Sequence, residues 1–206
     1  MNAHISKLMY SVLVVASLST AAFAQDARPA SDKLRVRKII GLGSKARVFT
    51  PTYTTDVGRG VERAQEWLAV TLTYDTAPEW IDELLIQFHV LAKRPDPKTP
   101  KNLYSLYKTA VRYVDIEAGR KHMATTYLRP SAIVRYGEAV AVAAVVTLDG
   151  AVVAEVSDES MQLPEKWWKN PLVTDSDATT IRDGYLLDRS KSPWALINTD
   201  DYEVIK

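Results

Sequence analysis

The chain has 206 residues, 47% of them hydrophobic and 25% charged, with a formal net charge of +1. That is the composition of a globular domain, and it excludes a disordered tail, a collagen-like rod and a coiled coil. Cysteine is absent, which excludes a disulfide framework, a thiolate nucleophile, an iron-sulfur cluster and a thiolate zinc site.

Residues 1–24 read as a secretory signal peptide rather than as part of the fold. Lys7 precedes an apolar run from Leu8 to Ala16, and Ala22-Phe23-Ala24 before Gln25 forms the small-x-small site of signal peptidase. Ser11, Ser17, Ser19 and Thr20 interrupt the run short of the roughly 20 apolar residues of a spanning helix, so no membrane span is expected after cleavage. The expected location is secreted or periplasmic. Removing 24 residues, Lys7 among them, leaves 182 with 25 bases and 25 acids, and that neutrality predicts no nucleic-acid partner.

Residues 25–32, polar and containing Pro29, are expected to be a linker to a domain spanning 33–206. Short β-rich runs bounded by turn formers then follow one another. Lys33 to Ile40 is the first, ending at Gly41 and Gly43. Arg47 to Thr54 is the second, which Pro51 demotes to an edge or interrupted strand. Gln65 to Tyr74 alternates, with Leu68, Val70, Leu72 and Tyr74 on one face and Trp67, Ala69, Thr71 and Thr73 on the other. Ile81 to Ala92 has a β-branched and aromatic tail that favours strand over helix. Arg94 to Lys101, with three prolines, is a loop. Leu103 to Ile116 and Arg120 to Leu128 flank Glu117-Ala118-Gly119 as an expected hairpin, and Pro130 to Gly137 has room for one helical turn. Glu138 to Leu148 and Ala151 to Val156 flank Asp149-Gly150, a pair suited to the positive φ values of a tight hairpin turn. From about residue 160 the texture becomes irregular, acidic and Trp-rich, so the tail is expected to fold back over the strands, with one more strand near Ala195 to Asn198. The resulting expectation is an all-β, antiparallel immunoglobulin-like β-sandwich of about eight strands with an irregular C-terminal tail packed on it.

Motifs for chemistry are weak. Gly41-Leu42-Gly43-Ser44-Lys45-Ala46 fits a loose dinucleotide fingerprint but is followed by β-prone residues and Pro51 where a helix is needed, so a turn or bulge is the better reading. His89 and His122 each stand alone in a strand. Asp175-Ser176-Asp177 opens like a calcium loop, which then fails at Thr180 and Leu186. The adjacent carboxylates Asp82-Glu83 and Asp158-Glu159 point to opposite faces of a strand, unlike the facing pair a glycosidase needs. No cofactor, no metal and no catalytic residue are expected, with an unrecognised hydrolase site as the third-ranked reading.

Binding residues are sought instead among surface-suited side chains. Lys93 to Arg135 holds ten bases against three acids, while Asp149 to Lys206 holds twelve acids against six bases. Within the basic stretch Lys108, Arg112 and Lys121 are interleaved with Tyr104 and Tyr127, residue types that carry interfaces and stack on rings. Alternation in a sheet gives the competing account, with tyrosines inward and bases outward to complement the acidic tail. Trp167-Trp168 is a candidate aromatic platform for glycans, set against packing of a ring onto the sandwich.

The signal peptide, the cysteine-free strand run and the tail Tyr185-Leu186-Leu187-Asp188-Arg189-Ser190-Lys191-Ser192-Pro193-Trp194-Ala195-Leu196 resemble small secreted immunoglobulin-like proteins associated with type IV pilus gene clusters of mucus-dwelling bacteria. The resemblance implies a noncatalytic interaction module associated with pili or the outer surface, its partner an envelope or pilus protein. The chain departs from pilins in lacking a long apolar N-terminal helix after processing. A carbohydrate-binding module for mucin-like glycans is the alternative.

Overall fold

The computed structural model describes residues 30–51, 64–76, 78–95 and 101–197. The expected signal peptide and the linker up to residue 29 lie outside the described residues. A single helical turn α1 (Ala30–Lys33) leads into β1 (Leu34–Ile40), β2 (Arg47–Phe49), β3 (Glu66–Thr76), β4 (Ile81–Lys93), β5 (Tyr104–Ile116) and β6 (Gly119–Leu128). Helix α2 (Pro130–Tyr136), β7 (Glu138–Leu148), β8 (Ala151–Glu159), α3 (Pro171–Thr174), β9 (Thr179–Ile181) and β10 (Leu186–Asp188) follow. A front sheet has the order β1-β3-β6-β10, with β2 also beside β3, and a back sheet the order β8-β7-β4-β5-β9. All pairings are antiparallel except β5 with β9. The fold is the expected all-β sandwich, with ten strands among the described residues because the tail adds β9 and β10.

Alternation builds the core. Leu68, Val70, Leu72 and Tyr74 of β3 and Leu84, Ile86, Phe88 and Val90 of β4 are each no more than 2% exposed. Tyr107, Val111 and Tyr113 of β5 join the same cluster, and burying side chains of this size contributes about 1.5–3 kcal/mol each. Asp149 (φ 52°) and Gly150 (φ 77°) make the tight turn between β7 and β8, as their positive-φ tolerance predicts. Pro51 follows a β2 of only three residues, and residues 52–54 of the expected second strand lie outside the described residues. Gly43 (φ 70°) starts a short 3-10 turn that runs into β2, so the glycine segment is a turn. Pro130 opens a seven-residue helix rather than a single turn, its missing N–H costing nothing at a helix start.

Two expectations are corrected. Glu117-Ala118-Gly119 is not a hairpin: β5 pairs with β4 while β6 pairs with β3, so the chain crosses here from the back sheet to the front sheet. Thr76 pins this arch. Its hydroxyl donates to Glu117 C=O at 2.6 Å and accepts from Gly119 N–H at 3.0 Å, while His122 Nε2 lies 3.0 Å away. With the single hydroxyl hydrogen spent on Glu117, His122 must donate through Nε2, which fixes its tautomer. A Cβ at Gly119 would come within 2.9 Å of that nitrogen. The second correction concerns the strand expected at Ala195 to Asn198: turn bonds Ala195 N–H to Ser192 C=O and Ile197 N–H to Trp194 C=O stand in its place as far as Ile197, and Asn198 lies outside the described residues. The turn tucks the Trp194 ring onto the front sheet.

Candidate functional site

From residue 160 the chain straps both outer faces of the sandwich. On the back sheet, Leu91, Leu106, Ala141, Ala143 and Val145 form an apolar surface, and Trp167, Trp168 and Val173 cover it. Trp167 is 0% and Trp168 6% exposed, with the rings edge-to-face at 5.8 Å. Both rings belong to the packing, the account set against a glycan platform. Lys166 and Lys169 flank the pair and meet Glu155 of β8 at 2.5 and 2.7 Å, and those bonds hold the Glu155 carboxyl below its usual range. His89 shares the strapped face, opposite Ala143 on β7 and Lys108 on β5. It is 8% exposed, neither ring nitrogen has a hydrogen-bond partner among the described residues, and burial together with Lys108 lowers its pKa to about 4.

On the front sheet the second strap closes over Trp67, Ala69, Tyr127 and Leu187. Trp194 stacks on Tyr127 at 4.2 Å and 5°, and stands edge-on to Trp67 at 5.5 Å. Asp188 accepts from Lys191 N–H at 3.1 Å and from Lys191 Nζ at 2.8 Å, and Arg189 Nη1 donates to Ile197 C=O at 3.0 Å. Between the straps the tail is stitched down by Arg182. Its guanidinium lies 3.7 Å over the Tyr136 ring and its Nε donates to Ser105 Oγ at 3.0 Å. Tyr185 hydrogen-bonds Tyr136, which together with Arg182 and Arg135 lowers the Tyr136 phenol; burial pushes Tyr107 up to about 12.

The sequence-predicted binding residues are dispersed. Tyr127 lies under Trp194, and Tyr104 is half-buried beside the Trp167 cluster. Tyr107 and Tyr113 point into the core while Lys108 and Arg112 are exposed on the opposite face, the arrangement that alternation gives. Arg112 meets Glu83 at 3.3 Å. Lys121 is on the other sheet, because the chain changes sheets at residue 117. The calcium-like segment forms a turn in which Ser176 Oγ accepts Ala178 N–H and Asp175 accepts the Thr174 hydroxyl. Among the described residues no three His, Asp or Glu side chains are placed to hold a metal.

Lys121 instead joins a cluster that sequence reasoning missed. At Asp75 of β3 both neighbouring strands bulge: β1 between Val36 and Lys38, and β6 opposite the Tyr74–Thr76 step. Each bulge brings an extra base to the carboxylate. Arg37 Nε meets Asp75 Oδ1 at 2.6 Å, and Lys121, at φ 65°, donates its backbone N–H to the same oxygen at 2.8 Å. The Arg37 bond is the main cause holding the Asp75 carboxyl below its usual range. Arg35 pairs opposite Asp75 and Lys38 opposite Thr73, and Arg120 lines a cleft of about 390 Å³ with Arg35, Arg37 and Asp75. The available signal was the strand Leu34-Arg35-Val36-Arg37-Lys38-Ile39, whose bases at 37 and 38 break strict alternation.

One "-like" family model matches residues 33–206. The chain belongs to that family. The family domain therefore takes in the sandwich, both straps and the Asp75 cluster. Comparison with curated proteins gave no match. A crystal structure from Akkermansia muciniphila, a mucus-dwelling bacterium, superimposes with a TM-score of 0.69 at 21% identity, covering 84% of this chain and 93% of that one. At that identity the likeness extends to the fold.

Proposed function

We propose that this protein is a noncatalytic interaction module of the cell envelope, secreted or periplasmic, that accepts a strand from a pilus or outer-surface protein. The observation that carries this reading is the edge of the back sheet. Among the described residues β8 pairs only with β7. Over Ala151 to Ser157 its one charge, Glu155, is drawn onto the strap by Lys166 and Lys169, and the exposed Asp158 and Glu159 charge the last two residues alone. Proteins ordinarily blunt such an edge with charge or proline, and strand addition uses one that is left open. The chain's likeness in fold to a protein of a mucus-dwelling bacterium and the resemblance to pilus-associated proteins support the envelope setting. Stacking on mucin-like glycans loses support because the rings of Trp167, Trp168 and Tyr127 are buried.

The edge can be tested without disturbing the sandwich. Ser160 N–H donates to Val140 C=O at 2.9 Å, and antiparallel pairs alternate between bonded and non-bonded, so the N–H groups of Glu155 and Ser157 point away from β7. Ser157→Pro removes one of these donors and spares the ladder. A photoreactive residue at Val152, 60% exposed, should give one discrete adduct in the native envelope, and Ser157→Pro should abolish it with folding retained. An adduct that persists in the proline variant, or none in the parent, overturns the reading.

A further inference from the structure

We infer that the open half of the front sheet's outer face is a binding site for an anionic polysaccharide, a chain bearing sulfate or uronic carboxylate groups. The site is separate from the β8 edge, and either can fail without the other. Five bases, Arg35, Arg37, Lys38, Arg120 and Lys121, gather here around Asp75, with Asp32 and Lys33 at the end of the same cleft. Asp75 is already engaged by Arg37 and by the Lys121 backbone. The other four side chains are exposed, and among the described residues none of them forms a salt bridge.

Like charges repel, so crowding bases at two bulges on either side of β3 raises the energy of the free protein and gives an arriving anion more to gain. Bulges commonly re-aim side chains at functional positions. The spacing selects the kind of anion. β3 separates β1 from β6, and with strands about 4.8 Å apart the two basic banks stand about 10 Å from one another. One small ion cannot touch both, whereas a chain with repeated charges can. The floor between them is polar, with Thr73 beside the hydrogen-bonded hydroxyls of Thr71 and Thr125 at 3.1 Å. Hydroxyls on a flat face suit a sugar chain. Met123, 39% exposed, is the large apolar side chain of this floor, which falls short of the apolar face that membrane insertion uses. Trp194 stacked on Tyr127 covers the other half of the face.

The experiment measures binding of the purified protein to dextran sulfate, polygalacturonate, uncharged dextran, a DNA duplex and phosphatidylglycerol vesicles. Both acidic polysaccharides should bind and dextran should not. Binding should weaken as salt rises from about 0.1 to 1 M, over which the screening length falls from about 10 to 3 Å. Arg35→Glu with Arg120→Glu should weaken binding by at least about tenfold, the loss expected when a steering charge is reversed, while Lys108→Glu with Arg112→Glu leaves it unchanged. If the first variant misfolds, Lys38→Gln with Lys121→Gln keeps the Asp75 bonds and should shift affinity in the same direction. Unchanged affinity in the folded front-sheet variant overturns the proposal. So does binding to the duplex or the vesicles as tight as to the acidic polysaccharides.

Discussion

Trp167 and Trp168 sit within the apolar surface of the back sheet, buried and, among the described residues, without hydrogen-bond partners for their indole nitrogens. Trp194 on the front sheet is half-buried and held by a parallel stack on Tyr127, with Asp188 and Arg189 tying the backbone around it. One tail thus covers two faces by different means. The back strap depends on area removed from water and is sensitive to whatever charges the interior beneath it. The front strap depends on ring geometry and local hydrogen bonds, which tolerate partial exposure.

The contrast breaks most directly at Trp167. Trp167→Ala should cost about 3–5 kcal/mol, as large-to-small changes at buried aromatics do, measured by urea unfolding; a loss near zero would mean that the back strap is no part of the cooperative fold. Acid should act on the same strap. His89 is held neutral, with its folded pKa near 4 against 6.5 as the ordinary value, so between those values the unfolded chain binds more protons. Stability should therefore be level above pH 6.5, fall as pH drops from 6.5 towards 4, and lose about 3 kcal/mol over that window. Lys108 is the charged group facing His89 across the strand pair. His89→Leu should flatten this part of the curve. Asp75, Glu155 and Asp188 have lowered pKa values, so their contribution is present above the ordinary carboxylate range and is lost below it, in a more acidic window.

Trp194→Ala should cost less, about 1–2 kcal/mol including the ring-pair contribution. It should raise hydrogen exchange around Tyr127 while leaving the Trp167 region protected. The smallest change is expected from Lys166→Gln with Lys169→Gln. These lysines are about half exposed, so the loss should be at most about 1 kcal/mol and should vanish in high salt. A larger loss would show that Glu155, rather than ring burial, holds the back strap.

What the sequence revealed follows from the range of each signal. The faces of β3, the β7–β8 turn at Asp149-Gly150 and the inward tyrosines of β5 are set by neighbours a few residues apart, and alternation and turn chemistry report those directly. The step after Ile116 was misread because Glu117-Ala118-Gly119 suits a hairpin and a sheet-to-sheet arch alike; the choice is made by β3 and β4, which supply the partners. β9 and β10 are three residues each, too short for any period to register. The Asp75 cluster needs Arg37 and Arg120, 83 positions apart in the numbering, and depends on two bulges. The tail's return over the sandwich was legible from its tryptophans, but the face each would cover was not.

The position of β9 and β10 has a consequence for how the molecule is made. They occupy the same side of the sandwich, β9 along β5 and β10 along β6, and they come from the last part of the described chain. A ribosome or export channel delivers β1 to β8 first, so Tyr104–Leu106 of β5 and Thr126–Leu128 of β6 wait without these partners until residues 179–188 arrive. The tail is then the closing step of biogenesis. A chain cut short before Thr179 would leave those two adjacent three-residue stretches unpaired, lengthening the free edges that favour aggregation and proteolysis.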